Sequence, residues 1–260
     1  MIGRMAGKRV GTGMSIFMAS GELGRTLGPI VAVAGVGWFG LEGMWRLMFV
    51  GWAVTAVLYY RLHDVSARTS TKPAGLEEAW PQIRRIFPVL GWIMLMRTGL
   101  VVALTTYLPL YMQDEVEASL WLAAAALSIL EGAGVAGALL SGTVSDRFGR
   151  PSVLGWLLFI SPLLALAFIY APGWLAIPLL IALGLTVLGP TPVLLALVQD
   201  FFPDHRALAN GIYIGLNFLV RGLGIWLIGV LADRFGLTIA FVIGAVTAFL
   251  TLPGVWFLPR

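Results

Sequence analysis

Apolar runs of about 20 residues recur along the whole chain, separated by short polar breaks, and this limits the folds open to it. A helix needs roughly 20 mainly apolar residues to cross the hydrocarbon core of a bilayer. Within that core each backbone polar group must find its partner inside the segment. Eight runs qualify: residues 10–37, 43–62, 87–112, 119–140, 152–170, 173–199, 206–230 and 237–258. The breaks carry turn chemistry, as in Gly40-Leu41-Glu42-Gly43, Pro172-Gly173 and Asp233 to Gly236. The expected fold class is therefore an all-α polytopic membrane protein with about eight transmembrane helices. Composition agrees, at 59% hydrophobic and 12% charged, against about 25% charged in soluble domains. That excludes a water-soluble globular enzyme and a disordered chain, and the absence of cysteine excludes a disulfide scaffold. The start does not read as a signal peptide, because Glu22 and Arg25 interrupt the apolar run behind Arg4, Lys8 and Arg9.

Basic residues orient the spans. Twelve of the 17 Lys and Arg fall on one side, among them Lys8, Arg9, Arg61, Arg84, Arg147, Arg150 and Arg206, and two, Arg46 and Arg234, on the other. The positive-inside rule makes the first side cytoplasmic. Both termini are then cytoplasmic, which an even number of spans satisfies. The acidic loop Gln113 to Ala118 falls outside. Trp38, Trp45, Trp121, Trp156, Trp174 and Trp256 lie near span ends, as an interfacial belt would place them. The net charge of +4 thus reflects membrane orientation, not nucleic-acid binding.

Two internal repeats stand out. Gly142-Thr-Val-Ser-Asp146-Arg147-Phe148-Gly149 matches Gly229-Val-Leu-Ala-Asp233-Arg234-Phe235-Gly236, 87 residues later. The copies follow spans that run in opposite directions, so one lies inside and the other outside. An inverted repeat of three helices is implied, which is a transporter architecture. The approach to the first span also resembles that to the seventh, with Gly13 on Gly211 and Gly24 on Gly222, an offset of 198.

Gly142-x-x-x-Asp146-Arg147-x-Gly149-Arg150 resembles the G-x-x-x-D-R-x-G-R loop motif of the major facilitator superfamily. Gly24-Arg-Thr-Leu-Gly28-Pro29 is similar to the core of that family's antiporter motif, although Ser15 and Ala32-Val33 depart from the longer pattern. The run from Gly11 to Pro29 also looks like fosmidomycin-resistance-type exporters. The resemblance implies that the eight spans correspond to the last eight of twelve helices. Residues 1–62 would then be two helices of an amino-terminal bundle, 63–86 a cytoplasmic linker and 87–260 a six-helix carboxy-terminal bundle. The first four helices have no counterpart in the sequence, so the missing helices or a second copy could be needed. The function implied is proton-coupled export of a small anionic or drug-like molecule by alternating access, in a bacterial inner membrane. A truncated, inactive or assembly-type membrane protein without transport of its own is the alternative.

Charges within a bilayer cost roughly 2.5–3.5 kcal/mol each on insertion scales, so they mark cavities or partners. Here they are Glu22, Arg25, Arg97, Glu131 and Arg221. The resemblance places these on cavity-lining helices. Arg97 and Glu131 lie about 15 Å inside the cytoplasmic ends of antiparallel neighbours, at 1.5 Å per residue, so they can meet. Glu131 is then a proton-titrating carboxylate and Arg97 its partner or the substrate contact; a static ion pair is the alternative. Glu22 and Arg25, three apart on one helix face, either neutralise each other or touch substrate. In the family, the acid at Asp146 latches the inside gate against a helix of the other half, here the start of the first span near Arg9 to Thr12. Arg147 and Arg150 would hold the loop. Gly28, Pro29, Gly189, Pro190 and Pro192 are hinge candidates because proline removes a helix hydrogen bond, and Pro109 is another.

Gly132-Ala-Gly134-Val-Ala-Gly137 fits a dinucleotide fingerprint but lies in an apolar span without a preceding strand, so close helix packing explains it. His63 and His205 are isolated, and no metal-ligand spacing or nucleophile–His–acid set occurs. No cofactor is called for.

Overall fold

The computed structural model describes residues 16, 20, 21, 23, 24, 26, 27, 31, 34–63, 76–171 and 173–258. The apolar runs among them become helices and the polar breaks become turns. A 3-10 turn, Met44–Leu47, leads into α1, Met48–Leu62. Then follow α2 (Leu76–Val102), a π-helical segment (Ala103–Tyr107) and α3 (Leu108–Asp114), which form one continuous crossing. Next come α4 (Leu120–Phe148) and α5 (Arg150–Tyr170). Another crossing is divided into α6 (Ala176–Val187) and α7 (Pro190–Phe201). The chain continues with α8 (Arg206–Phe235), α9 (Leu237–Phe249) and α10 (Thr251–Trp256). Six helical segments between Glu77 and Trp256 are long and apolar enough to cross a membrane. Of the two remaining expected spans, 43–62 corresponds to the 3-10 turn and the 15-residue α1. The other, 10–37, lies largely outside the described residues.

The expected linker is shorter than the sequence suggested. Residues 63–86 read as linker because of their prolines, yet α2 begins at Leu76 and carries Pro81 and Pro88 inside it. Glu77 and Glu78 in its first turn complement the helix dipole. Ala79, Ile83, Ile86, Phe87, Leu90, Ile93 and Met94 are all buried, a stripe at helical spacing. Burial of that stripe outweighs the two lost backbone bonds.

The inverted repeat is visible in the packing as well as in the motif. A shift of 87 residues carries 87–114 onto 174–201, 120–148 onto 207–235 and 150–170 onto 237–257, helix for helix. It also carries contacts onto contacts. A Cβ built on Gly137 of α4 would run into the Leu185 backbone of α6, and one built on Gly224 of α8 would run into the Thr98 side chain of α2. Gly137 and Gly224 are repeat equivalents, and so are Thr98 and Leu185. Even the interruptions correspond: the π segment starting at Ala103 and the break at Leu188-Gly189 fall within two residues of each other in the repeat. Where the two third helices correspond, Pro162 lies within α5 and Leu250 separates α9 from α10.

The core falls into two layers. At the end bearing the Gly142–Arg150 motif, Leu154, Leu158, Val193 to Val198, Phe202 and Tyr213 gather on the first half of α2. At the other end, Leu104, Leu108, Leu130, Leu180, Leu183 and Phe241 gather on its continuation. Arg97 lies between Met94 of one layer and Leu100 of the other, and the α6–α7 break separates Leu188 from Val193 in the same way. The six tryptophans placed at span ends are all exposed, up to 86% for Trp256.

The glycines of the rejected fingerprint discriminate a packing role. Gly134 and Gly137 abut Leu188 and Leu185, whereas nothing lies within 4 Å of a Cβ on Gly132. Gly137→Ala is expected to destabilise the folded protein by about 1–3 kcal/mol through overpacking. Gly132→Ala is expected to be neutral or slightly stabilising. Denaturant unfolding in detergent micelles, followed by tryptophan fluorescence, checks both.

Candidate functional site

The interruption between α6 and α7 follows from its sequence. Pro190 and Pro192 have no N–H to offer, and Thr191 N donates to Leu188 O at 3.3 Å, one residue short of α-helical register. Val187 O therefore loses its helical donor. Arg97 Nη2 supplies one at 3.0 Å and also reaches Thr191 Oγ1 at 3.3 Å. A cation at the carboxyl end of a helix is electrostatically favoured as well as a good cap. Ser141 Oγ of α4 donates to Gly189 O at 2.8 Å.

Arg97 is buried, 8% exposed, and forms part of a cavity of about 750 Å³. On the α8 side, Tyr213, Asn217 and Arg221 line the cavity at spacings of four residues, one helix face. Arg221 Nη2 donates to Thr105 Oγ1 at 3.2 Å. Thr105 belongs to the π segment, a conformation that recurs at functional sites. Tyr107, at the end of that segment, donates to Ile225 O at 2.9 Å. Ser20 and Gly21 of the first expected span also face the cavity. The described lining residues thus include two arginines and no carboxylate.

Glu131 is buried at 9% exposure on α4 but is not among the cavity's lining residues. Among the described residues, no Arg97–Glu131 ion pair is formed; Arg97 instead meets Val187 and Thr191. In place of the expected meeting of the two charges, Arg97 caps a broken helix. Glu22, Arg25, Gly28, Pro29 and the stretch Arg9 to Thr12 lie outside the described residues.

The Gly142–Arg150 motif forms a one-residue turn between α4 and α5. Gly149 takes φ 86° and ψ 139°, and its repeat equivalent Gly236 takes φ 87° and ψ 158°, conformations that disfavour any side chain. Beyond the turn the copies diverge. Arg150 pairs with Asp200 at the end of α7, Nε to Oδ2 at 2.5 Å, and with Asp146 at 3.7 Å. The position equivalent to Arg150 is Leu237, which is buried in the core, and Asp233 and Arg234 are exposed. Gly142 is buried, whereas Arg147 points outward and is exposed. An ionic tie between α4, α5 and α7 therefore exists at one end of the bundle and is replaced by apolar packing at the other.

Asp200, Tyr213 and Asn217 were not singled out in the sequence. Tyr213 and Asn217 had a usable signal, since they share a helix face with Arg221. Asp200 sits next to a turn, where an acid attracts no notice.

This geometry defines a helical membrane protein built on a three-helix inverted repeat, with a largely apolar cavity beside α2, α7 and α8 into which two arginines face. The model of the Major Facilitator Superfamily matches residues 1–191 and 135–260, and the chain belongs to that family. It is 26% identical over 97% of its length to the fosmidomycin resistance protein of Escherichia coli (strain K12), and spans 63% of that protein. It is 23% identical over 96% of its length to an uncharacterized MFS-type transporter of Bacillus subtilis (strain 168), again spanning 63%. Over 43% of its length it is 38% identical to the niacin transporter of Acinetobacter baylyi, covering 26% of that protein. Two of these three relatives are named as transporters.

Replacing Arg150 with alanine leaves two acids without their shared cation, whereas Arg147 is exposed. Arg150→Ala is expected to lower stability by about 1 kcal/mol, allowing for the partial exposure of Asp200, and Arg147→Ala by less than half that. Paired thermal unfolding curves in one detergent check the difference.

Proposed function

We propose that this chain is part of a secondary active transporter that exports a small anionic or drug-like molecule in exchange for protons by alternating access. The observation that carries the reading is the cavity. Arg97 and Arg221 face it from α2 and α8, which pack on each other. Buried guanidinium groups bind carboxylate, phosphate or phosphonate groups strongly and with geometric selectivity. Relatives named for fosmidomycin resistance and niacin transport support transport of small molecules.

Glu131, buried on α4 and outside the cavity lining, is the proposed proton carrier. Glu22 and Arg25 are proposed to add to the cavity from the first span. Asp146, Arg147 and Arg150 form the proposed gate at the cytoplasmic end, with Gly142 and Gly149 shaping the turn. Gly28, Pro29, Gly189, Pro190 and Pro192 are the proposed points of bending. Residues 1–62 belong to one bundle and 87–260 to the other, with both termini in the cytoplasm of a bacterial cell and the inner membrane as host. The chain spans under two thirds of its first relatives, so working transport could draw on further helices or a second copy.

Proteoliposomes with an imposed pH gradient and radiolabelled fosmidomycin or niacin as solute test this. Gradient-driven flux is expected. Glu131→Gln should abolish the pH dependence, Arg221→Gln should weaken solute binding at least tenfold, and Asp146→Asn should slow flux with the protein still in the membrane. Flux by Glu131→Gln equal to that of the parent would reject the proton role. No flux by the parent chain, alone or with added amino-terminal helices, would favour an inactive or assembly role.

A further inference from the structure

Arg97 does not simply face the cavity; it clasps the two sides of a broken helix. Its Nη2 bonds Val187 O, the last residue of α6, and Thr191 Oγ1, in the first turn of α7. The helix has no other donor to offer Val187 O, because Thr191 N is committed to Leu188 O and Pro190 has no N–H. The two halves are anchored differently. α6 is fixed to α4, since a Cβ on Gly184 would clash with Leu130 O and one on Gly137 with Leu185. α7 is buried along most of its length against α4, α5 and α8, and its far end is tied by Asp200, bonded to Arg150 beside the α4–α5 turn. Ser141 holds Gly189 O at the pivot, and neither Ser141 nor Gly189 lines the cavity.

We infer that the Arg97 clasp is the lock of a ligand-operated hinge: an anionic group entering the cavity takes the guanidinium, uncaps Val187 O and frees α7 to swing on Gly189. A bidentate anion needs two N–H groups on one edge of the guanidinium fork. Either edge that includes Nη2 competes with Val187 and Thr191. α6 meets α4 backbone to backbone at Gly184 and Gly137, so the released motion is a shift of α7 within its side-chain packing, and it arrives at the Asp200–Arg150 pair. The cavity and the motif turn are then coupled by one rigid half-helix, a two-state element that both ends bias. The inference rests on the anionic-substrate reading above and adds the path by which binding is felt at the gate.

Hydrogen exchange of the full chain in lipid nanodiscs tests it, read at the amides between residues 184 and 196. Arg97→Gln is expected to speed exchange at 187–193 at least tenfold, whereas Thr105→Val, which removes the Arg221 contact and a bond to Val101 O on its own helix, leaves that window unchanged. If Arg97→Gln does not fold, Arg97→Lys, whose ammonium ends one bond short of the Nη2 position that serves both acceptors, is used with the same readout and an expected rise of several-fold. Unchanged exchange in the folded variant overturns the clasp. Methylphosphonate is then titrated into the parent chain, with binding followed by equilibrium dialysis. Binding that speeds exchange at 187–193 in the parent but not in the variant supports the hinge. Binding without that change overturns the hinge and leaves the anion reading standing. No binding by the parent chain overturns the anion reading and the ligand-operated step with it.

Discussion

A helix that breaks inside a bilayer leaves backbone carbonyls that water cannot reach, and this structure is organised around satisfying them. An unmet buried acceptor costs about 1–3 kcal/mol, so a break persists only where a neighbour supplies a donor. α2 is that neighbour. Arg97 caps Val187 at the α6–α7 break, and Trp92 Nε1 donates to Leu250 O at 2.7 Å where α9 gives way to α10. Its π-helical continuation holds Arg221 through Thr105 and donates from Tyr107 to Ile225. Most side-chain hydrogen bonds between helices in the described bundle thus run through one element, which also divides the two apolar layers. The cavity lies beside the same stretch of α2, and Arg97, which caps the break, is also one of its few charged lining residues.

The inverted repeat provides the frame, and its departures from symmetry locate the chemistry. Glycine contacts between α4 and α6 are repeated between α8 and α2, and the two motif turns share one backbone conformation. Side chains differ where function would require it. Arg150, tied to two acids, corresponds to buried Leu237. Arg97 corresponds to Gly184, the point of closest approach between α6 and α4, and Arg221 to Gly134. In each case one copy carries a cation and the other an apolar residue. Both cavity arginines have a glycine as counterpart, so their charge lies on one side of the pseudo-symmetry and a glycine-mediated helix contact on the other.

Much of the fold was legible in the sequence. Length and hydropathy marked the spans, the D-R-F-G repeat marked the inversion, and Gly189-Pro190-Thr191-Pro192 marked the break. The start of α2 was misread because Pro81 and Pro88 outweighed the stripe from Ala79 to Met94, and burial decides that contest in the folded chain. The π segment had only Pro109 as a hint. Depth counting brought Arg97 and Glu131 to one level but could not show that a freed carbonyl on a third helix would claim the guanidinium. Spacing along one helix reports which face a residue shares; it does not report competition among helices. Tyr213 and Asn217 share a helix face with Arg221, a spacing legible in the sequence, whereas the reach of Arg150 across to Asp200 depends on how α5 and α7 pack.

Because the chain has no cysteine, single cysteines placed at Arg147 and at Arg234 report the inversion without background. With intact cells and a membrane-impermeant thiol reagent, the account predicts that the cysteine at 234 reacts from outside and the one at 147 only after the membrane is opened. Labelling of both positions from the same side would contradict an inverted repeat spanning the bilayer, and the cavity and hinge argued from it would fall as well.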